Sequence, residues 1–163
     1  MPVVSNTSPL WNLAAIDSLD LLRDQYPDIR IPTDVWRELQ VGQGYPETAR
    51  IRRAVDDEWV TIEAPAQTYL RQSLRLGLDQ GEAAAIALAL EIGESRILID
   101  EADGRAAAKA MGLGPIGVLG VLLRAKEAGK LASVSDQMTR LRKDAGFFIA
   151  ESLFQRVRQA AGE

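Results

Sequence analysis

The chain of 163 residues contains no cysteine and no histidine. The absence of cysteine excludes disulfides, thiolate zinc sites, iron–sulfur clusters and cysteine nucleophiles. The absence of histidine excludes Ser-His-Asp triads, imidazole general bases and histidine-bound zinc or copper. Any acid–base or metal chemistry must therefore depend on Asp, Glu, Lys, Tyr or water.

Strong charge, long apolar runs and abundant aromatics are also missing. The net charge is −4 and aromatic residues make up 6%, so neither bulk charge nor composition indicates nucleic-acid binding. No apolar run reaches the ~20 residues of a membrane helix, and the start lacks the order of a signal peptide. We therefore expect a cytoplasmic protein with no membrane association.

Short apolar runs alternate with segments of helical periodicity, which predicts an α/β fold. We expect a three-layer fold, with a mainly parallel central sheet of about five strands and helices on both faces. The length predicts one domain over 1–163, with a C-terminal helical extension at about 133–163. The predicted strands cover 3–5, 29–31, 59–63, 97–99 and 115–116.

Helix signals are clear at several positions. Ser8 is expected to cap a helix with Pro9 at its first position, and Asp79 to start a helix over 80–92. A further helix is predicted from about Ala66 to near Gly77. Residues 42–46, which contain glycine and proline, are expected to break a preceding helix.

Polar residues follow two of the predicted strands. Asn6 comes directly after the first, and Asp100, Glu101 and Asp103 come after the run 97–99. Ligand sites of open parallel sheets lie at the carboxyl ends of the strands. The sequence therefore predicts one shared crevice for these side chains.

Each of these residues also has a purely structural interpretation. Asp100 with Asp103, and Asp79 with Glu82, both match a helix capping box. Asn6 is equally suited to an Asx turn, and Glu38 to a solvated helix face. Taken one at a time, capping is the simpler interpretation.

Taken together, the carboxylates favour a metal site. Glu38 borders an apolar stripe, and Glu82 begins an otherwise apolar helix. If both meet Asp100, each pair at ~5 Å repels by about 3 kcal/mol at an effective dielectric of ~20. A divalent cation removes that cost. Oxygen-only ligands indicate Mg²⁺ or Mn²⁺ rather than zinc.

The chain resembles the PIN domain superfamily, the nuclease fold of VapC-type toxins, and within it an uncharacterised prokaryotic PIN-like branch. The matching segments run through most of the chain in order. They are VVSNTSPLWNLA at 3–14, IPTDVWREL at 31–39, LDQGEAAAIALALE at 78–91, ILIDEADGRAAAKAMGL at 97–113 and PIGVLGVLLRAKEAGKL at 115–131.

The resemblance implies a site as well as a fold. The acidic metal-binding positions of the family fall on Asn6, Glu38, Glu82 and Asp100. By the same resemblance Glu101 or Asp103 supplies an accessory carboxylate, and Ser8 matches a small hydroxyl residue near the metal. Glu38, Glu82 and Asp100 are the implied catalytic residues.

The implied activity is Mg²⁺- or Mn²⁺-dependent cleavage of RNA phosphodiesters. The family also implies a toxin of a toxin–antitoxin pair, with an antitoxin protein as partner and a homodimeric assembly. Asn6 departs from the family pattern, which has Asp at this position. The alternative is therefore a catalytically degenerate PIN fold that binds RNA or a protein.

Three further patterns have weaker links to function. Arg105 and Lys109 follow Asp100 on one helix and are the first candidates for RNA phosphate contacts. Residues 112–117 spell G-x-G-x-x-G, but a helix precedes them, so we interpret them as a helix end and a turn. The apolar stripe within 147–157 suits either core packing or a protein contact.

Overall fold

The computed structural model describes residues 2–40, 44–66 and 69–163, with the side chains of Tyr69 and Ser73 left aside. Its centre is a sheet of five parallel strands in the order β3-β2-β1-β4-β5. The strands are β1 (Val3–Ser5), β2 (Ile29–Pro32), β3 (Val60–Glu63), β4 (Arg96–Leu98) and β5 (Gly114–Ile116). All five strands predicted from the sequence are confirmed, and no strand end differs from its prediction by more than one residue.

Helices connect the strands and cover the sheet. The first six are α1 (Thr7–Ala15), α2 (Leu19–Gln25), α3 (Thr33–Gln40), α4 (Pro46–Asp56), α5 (Tyr69–Leu74) and α6 (Gln80–Glu91). They are followed by α7 (Ala102–Ala110), α8 (Val118–Glu127), α9 (Val134–Asp144) and α10 (Glu151–Ala160). Of the described residues, no helix is sufficiently long and apolar to span a membrane.

The central strand β1 is buried on both faces, which explains its all-apolar start. Val3 belongs to a core cluster that includes residues of α1, α2, α8 and α9. Val4 points the opposite way, into a second cluster built from α6, β4 and α7. Successive side chains of a strand alternate between faces. The predicted three-layer α/β fold is therefore confirmed.

Two helix caps that the sequence pattern suggests are not formed. Helix α1 begins at Thr7 with Asn6 as its N-cap, so Ser8 lies in the first turn instead of capping it. Helix α7 is preceded by Glu101 as N-cap without a side-chain cap bond, so Asp100 and Asp103 form no capping box. In both cases the side chain that sequence rules assign to the cap has a partner from another element, described below.

The capping box of Asp79 and Glu82 is confirmed, with both of its reciprocal bonds present. Of the helix predicted from about Ala66 to near Gly77, the described residues contain α5 at Tyr69–Leu74, and the Ala66 N–H donates to the Glu91 carboxylate at 3.1 Å. The predicted break at 42–46 falls partly outside the described residues.

Helices α9 and α10 pack against α8 and against each other. Buried Val134, Met138, Leu141, Ile149 and Val157 belong to the same core cluster as β1 and α1. These contacts are the physical basis for expecting a single domain over 1–163. The division into a domain and an extension at about 133–163 stays a prediction.

Candidate metal and RNA site

The site begins where β1 and β4 end side by side. Ser5 pairs with Leu98 in the parallel register, and the Asn6 N–H donates to the Leu98 carbonyl at 2.9 Å. Asn6 and the residues after β4 therefore leave the sheet at one edge, as the sequence predicts. The crossover between non-consecutive neighbours makes this edge the switch point at which parallel sheets bind ligands.

Glu101 is held by the start of α1. The Asn6 amide donates from Nδ2 to Glu101 Oε2 at 3.2 Å, and the Ser8 hydroxyl donates to Glu101 Oε1. At this edge of the sheet, Ser8 therefore acts as a hydrogen-bond donor to the Glu101 carboxylate. The Glu101 carboxylate is partly buried and receives one donor on each oxygen.

Glu38 reaches the edge from α3. The Thr7 hydroxyl donates to Glu38 Oε2 at 2.5 Å. On the other side, Glu38 lies against Gly81 in the first turn of α6, where a Cβ atom would come within 2.4 Å of Glu38 Oε1. Only glycine at this position leaves room for the carboxylate as it stands.

Glu82 takes part in the capping box of α6 and also lies near other acidic side chains. It is 7% exposed, and its Oε2 accepts from the Asp79 N–H at 3.3 Å. Its carboxyl carbon lies near Gly104 of α7, 3.6 Å from the position of a Cβ atom there. Capping engages one oxygen, so capping and ligand binding are compatible at this residue.

Asp100 faces the N-terminus of a different helix. Its Oδ1 accepts from the Val118 N–H at the start of α8 at 3.0 Å, while Oδ2 is buried without a hydrogen-bond partner. Burial raises the pKa of Asp100 to about 6, and the charge of Glu101 adds to the rise. The Val118 N–H and the Arg105 guanidinium act in the opposite direction.

The negative charge of Glu101 acts on carboxylates from three parts of the chain. Burial raises the pKa of Glu38 and of Glu82, and in both cases the negative charge of Glu101 raises the pKa further. Asp79 acts in the same direction on both carboxyls, and Asp103 acts on Glu82. Glu101 therefore lies within electrostatic range of carboxyls from α3, α6 and the end of β4.

The residue types fit a hard divalent cation. Asn6 Oδ1 and Asp100 Oδ2 are buried oxygen atoms without hydrogen-bond partners. An oxygen-only donor set of this kind suits Mg²⁺ or Mn²⁺. Over 2–40, 44–66 and 69–163, however, no three acidic side chains stand in a geometry that could already hold a metal ion.

The two RNA contacts predicted from the sequence, Arg105 and Lys109, have different surroundings in the structure. Arg105 donates from a guanidinium nitrogen to the Ile99 carbonyl at 3.1 Å and lies beside Asp100. Lys109, one turn further along α7, is exposed.

Sequence reasoning missed three groups that contact the acidic side chains. They are Thr7, Gly81 and the Val118 N–H, and each contacts a residue far away in the chain.

These features define an α/β protein with an acidic cluster at the carboxyl edge of its sheet. A family model described as a PIN domain matches residues 2–163. The chain therefore belongs to the PIN domain family, a nuclease-type fold whose members generally use divalent metals. A search of curated proteins gives no match.

Proposed function

We propose that this protein is a Mg²⁺- or Mn²⁺-dependent ribonuclease that cleaves RNA phosphodiesters. The observation that supports the proposal is that Glu38, Glu82 and Asp100, from α3, α6 and the end of β4, each lie within electrostatic range of Glu101, and that burial raises the pKa of all three. Such clusters are costly unless a cation joins them, and perturbed carboxyls concentrate at functional sites.

Each side chain has a role in this proposal. Asp100 and Glu82 are the principal metal-binding residues, with Glu38 as a ligand or as the group that orients the attacking water. Asn6 offers a neutral amide oxygen, while Glu101 and Asp103 supply accessory negative charge. The cation, when bound, lowers the pKa of water and neutralises charge on the phosphate. The chain itself positions the water and the phosphodiester at the sheet edge, with Arg105 and Lys109 as phosphate contacts.

The first experiment separates capping from metal binding at Glu82. Glu82→Gln keeps the capping box, because glutamine serves this position as well as glutamate. We expect no loss of thermal stability, but a loss of Mn²⁺-dependent RNA cleavage by more than the ~10–100-fold typical of a residue that only supports a metal ligand. Asp100→Asn should lose cleavage likewise, while Asp144→Asn, an exposed control on α9, should not.

A second readout does not require turnover. Millimolar Mn²⁺ should raise the melting temperature of the wild type by mass action, and leave Glu82→Gln and Asp100→Asn nearly unchanged. Equal shifts in all three proteins would reject the metal site.

A second candidate is a degenerate PIN fold that binds RNA or a protein without cutting. Asn6 favours it, because the amide donates to Glu101 where the family pattern has a charged metal-binding residue. Asn6→Asp separates the two candidates. If this variant cleaves RNA under Mn²⁺ and the wild type does not, the wild type is a degenerate enzyme.

We extend the proposal, on family membership alone, to a cytoplasmic toxin that forms a homodimer and binds an antitoxin protein. Sedimentation of the purified protein tests the dimer. A small reading frame directly upstream, whose product restores growth when co-expressed, would support the antitoxin pair. Normal growth of cells that express the chain alone would contradict the toxin role.

A further inference from the structure

Helices α3 and α5 are joined by a buried ion pair. Arg71 of α5 donates from Nη2 to Oδ2 of Asp34 on α3 at 2.6 Å, and the two side chains are only 9% and 5% exposed. In the other ion pairs between described residues, at least one side chain is 29% exposed or more. The pair between α3 and α5 is therefore shielded from water and salt more than these others are.

Stability alone does not explain two charges in this place. Buried charges lose their hydration, and well-packed apolar side chains of similar volume often stabilise a protein as much or more. An ion pair adds direction, because a charge-assisted hydrogen bond requires a short distance and a narrow range of angles. Apolar contacts have no preferred direction. The Arg71–Asp34 pair is therefore suited to fix the orientation of one helix relative to another.

Helix α3 is short and depends on its surroundings for its orientation. It has 8 residues and follows β2 directly, and its buried Val35 and Leu39 pack in the core. A helix of this length is unstable in isolation, so tertiary contacts decide how it lies. Apolar packing at Val35 and Leu39 holds α3 against the core, and the bond from Arg71 to Asp34 holds it against α5.

Glu38 lies one turn after Asp34 on the same helix. Residues four apart share a helix face, and from this face Asp34 binds α5 while Glu38 lies against Gly81 of α6. Helix α5 also packs on α6, so the three helices contact one another around the two carboxylates. The Glu38 carboxylate fits between the Thr7 hydroxyl, at 2.5 Å, and the space that glycine leaves at position 81. A rotation of α3 would remove Glu38 from both contacts.

We propose that Arg71 and Asp34 are positioning residues, whose ion pair orients α3 so that the Glu38 carboxylate stands at the acidic edge of the sheet. Both side chains are buried, so they act through Glu38 and not on the phosphodiester. The inference rests on the proposed function for the chemical role of Glu38, but not for its position.

The test replaces the ion pair by apolar side chains. Asp34→Leu/Arg71→Met should melt in EDTA at the same temperature as the parent or higher. In a calorimetric titration it should bind Mn²⁺ about 10- to 100-fold more weakly, the range for a residue that supports a metal ligand. The kcat for RNA cleavage should fall while the KM for RNA stays unchanged, because the pair does not touch the substrate.

The matched control is Arg140→Met/Asp144→Leu. It makes the same two substitutions in an exposed ion pair of α9, far along the chain from α3 and α5. We expect it to change neither the Mn²⁺ affinity nor the kcat.

A thermodynamic cycle shows whether the pair acts through Glu38. Glu38→Gln should weaken Mn²⁺ binding, and the apolar pair added to Glu38→Gln should weaken it no further. Additive losses would overturn the inference, since the pair would then act on the site by another route. If the apolar double variant does not fold, Asp34→Asn takes its place in the same cycle with the same expectation, because asparagine keeps the shape and an oxygen acceptor for Arg71.

A crystal structure of the variant without metal gives a readout that does not depend on cleavage. Glu38 should no longer accept the Thr7 hydroxyl, whereas the parent and the α9 control should keep that bond. An unmoved Glu38, or Mn²⁺ bound as tightly as by the parent, would overturn the inference and leave the metal site intact. No Mn²⁺ binding by the parent would reject the proposed function, and displacement of Glu38 in the variant would still uphold the positioning role.

Discussion

Two carboxylates of this chain accept hydrogen bonds at helix N-termini, with opposite consequences. Asp100 accepts from the Val118 N–H at α8 and has its pKa raised to about 6. Glu163 accepts from the Val134 and Ser135 N–H groups at α9, at 2.7 and 3.1 Å, and has its pKa lowered to about 2. A helix N-terminus favours negative charge in both places.

The surroundings decide the difference. Glu163 also receives the Ser133 hydroxyl at 3.1 Å and lies 3.3 Å from the Lys126 ammonium. Asp100 is buried, has one oxygen without a partner, and lies beside the negative Glu101. The Glu163 carboxylate has hydrogen-bond donors and an ammonium group around it, and it holds residue 163 against the start of α9. The Asp100 carboxylate has one oxygen without a donor and lies beside another negative charge, so a bound cation would stabilise it.

The largest expected effect concerns Asp100 without metal. Its folded pKa lies above the ordinary 3.8, so the folded state loses stability relative to a neutral side chain as pH rises through about 6. The shift corresponds to at most about 3 kcal/mol. Urea unfolding in EDTA should find Asp100→Asn more stable than the wild type by up to that amount at pH 8, and nearly equal to it near pH 4.

Added Mn²⁺ should remove or reverse the advantage of Asp100→Asn, because the cation stabilises only the charged site. If Asp100→Asn is less stable than the wild type at pH 8 in EDTA, Asp100 is a structural cap like Glu163, and the contrast between the two carboxylates disappears.

At Glu163 we expect the pH dependence of the free energy of unfolding to have the opposite sign. Its folded pKa lies below the ordinary 4.5, so its contribution is present above that pH and is lost as pH falls towards 2. Glu163→Gln should lower the free energy of unfolding by about 1 kcal/mol at pH 7, the typical value of a helix cap. The exposed Glu127→Gln is the control. A loss at Glu163 that persists unchanged at pH 2 would argue against a charge-dependent contact.

The sequence suffices for features that depend on local spacing. The capping box of Asp79 and Glu82 lies within four consecutive residues, and the apolar run before Asp100 marks a buried strand. Once the strands are parallel, the positions of Asn6 and Asp100 at one edge follow from their places after β1 and β4.

Contacts between distant segments were not predictable in the same way. Asp100 spacing suggests a cap for α7, yet the side chain binds the Val118 N–H 18 residues further on, because β5 places the start of α8 beside it. Ser8 matches an N-cap, yet its hydroxyl donates to Glu101 across the sheet edge. Local rules name the hydrogen-bonding group, but the strand order selects its partner.

The smallest expected change in stability is at Gly81, and this substitution tests directly whether Glu38 takes part in the metal site. Gly81→Ala places a methyl group where Glu38 Oε1 now lies, and the flexible end of Glu38 can move aside. Alanine also favours the helix by up to about 1 kcal/mol, so the free energy of unfolding should hardly fall. Cleavage and the Mn²⁺-induced rise in melting temperature should both decrease, since Glu38 no longer reaches the edge of the sheet.

The control is Gly77→Ala, which has open space around the added methyl group and should change neither cleavage nor the Mn²⁺ response. If Gly81→Ala retains full cleavage and the full Mn²⁺ response, Glu38 belongs with Glu163 among the structural carboxylates, and the metal site must depend on Glu82 and Asp100 alone.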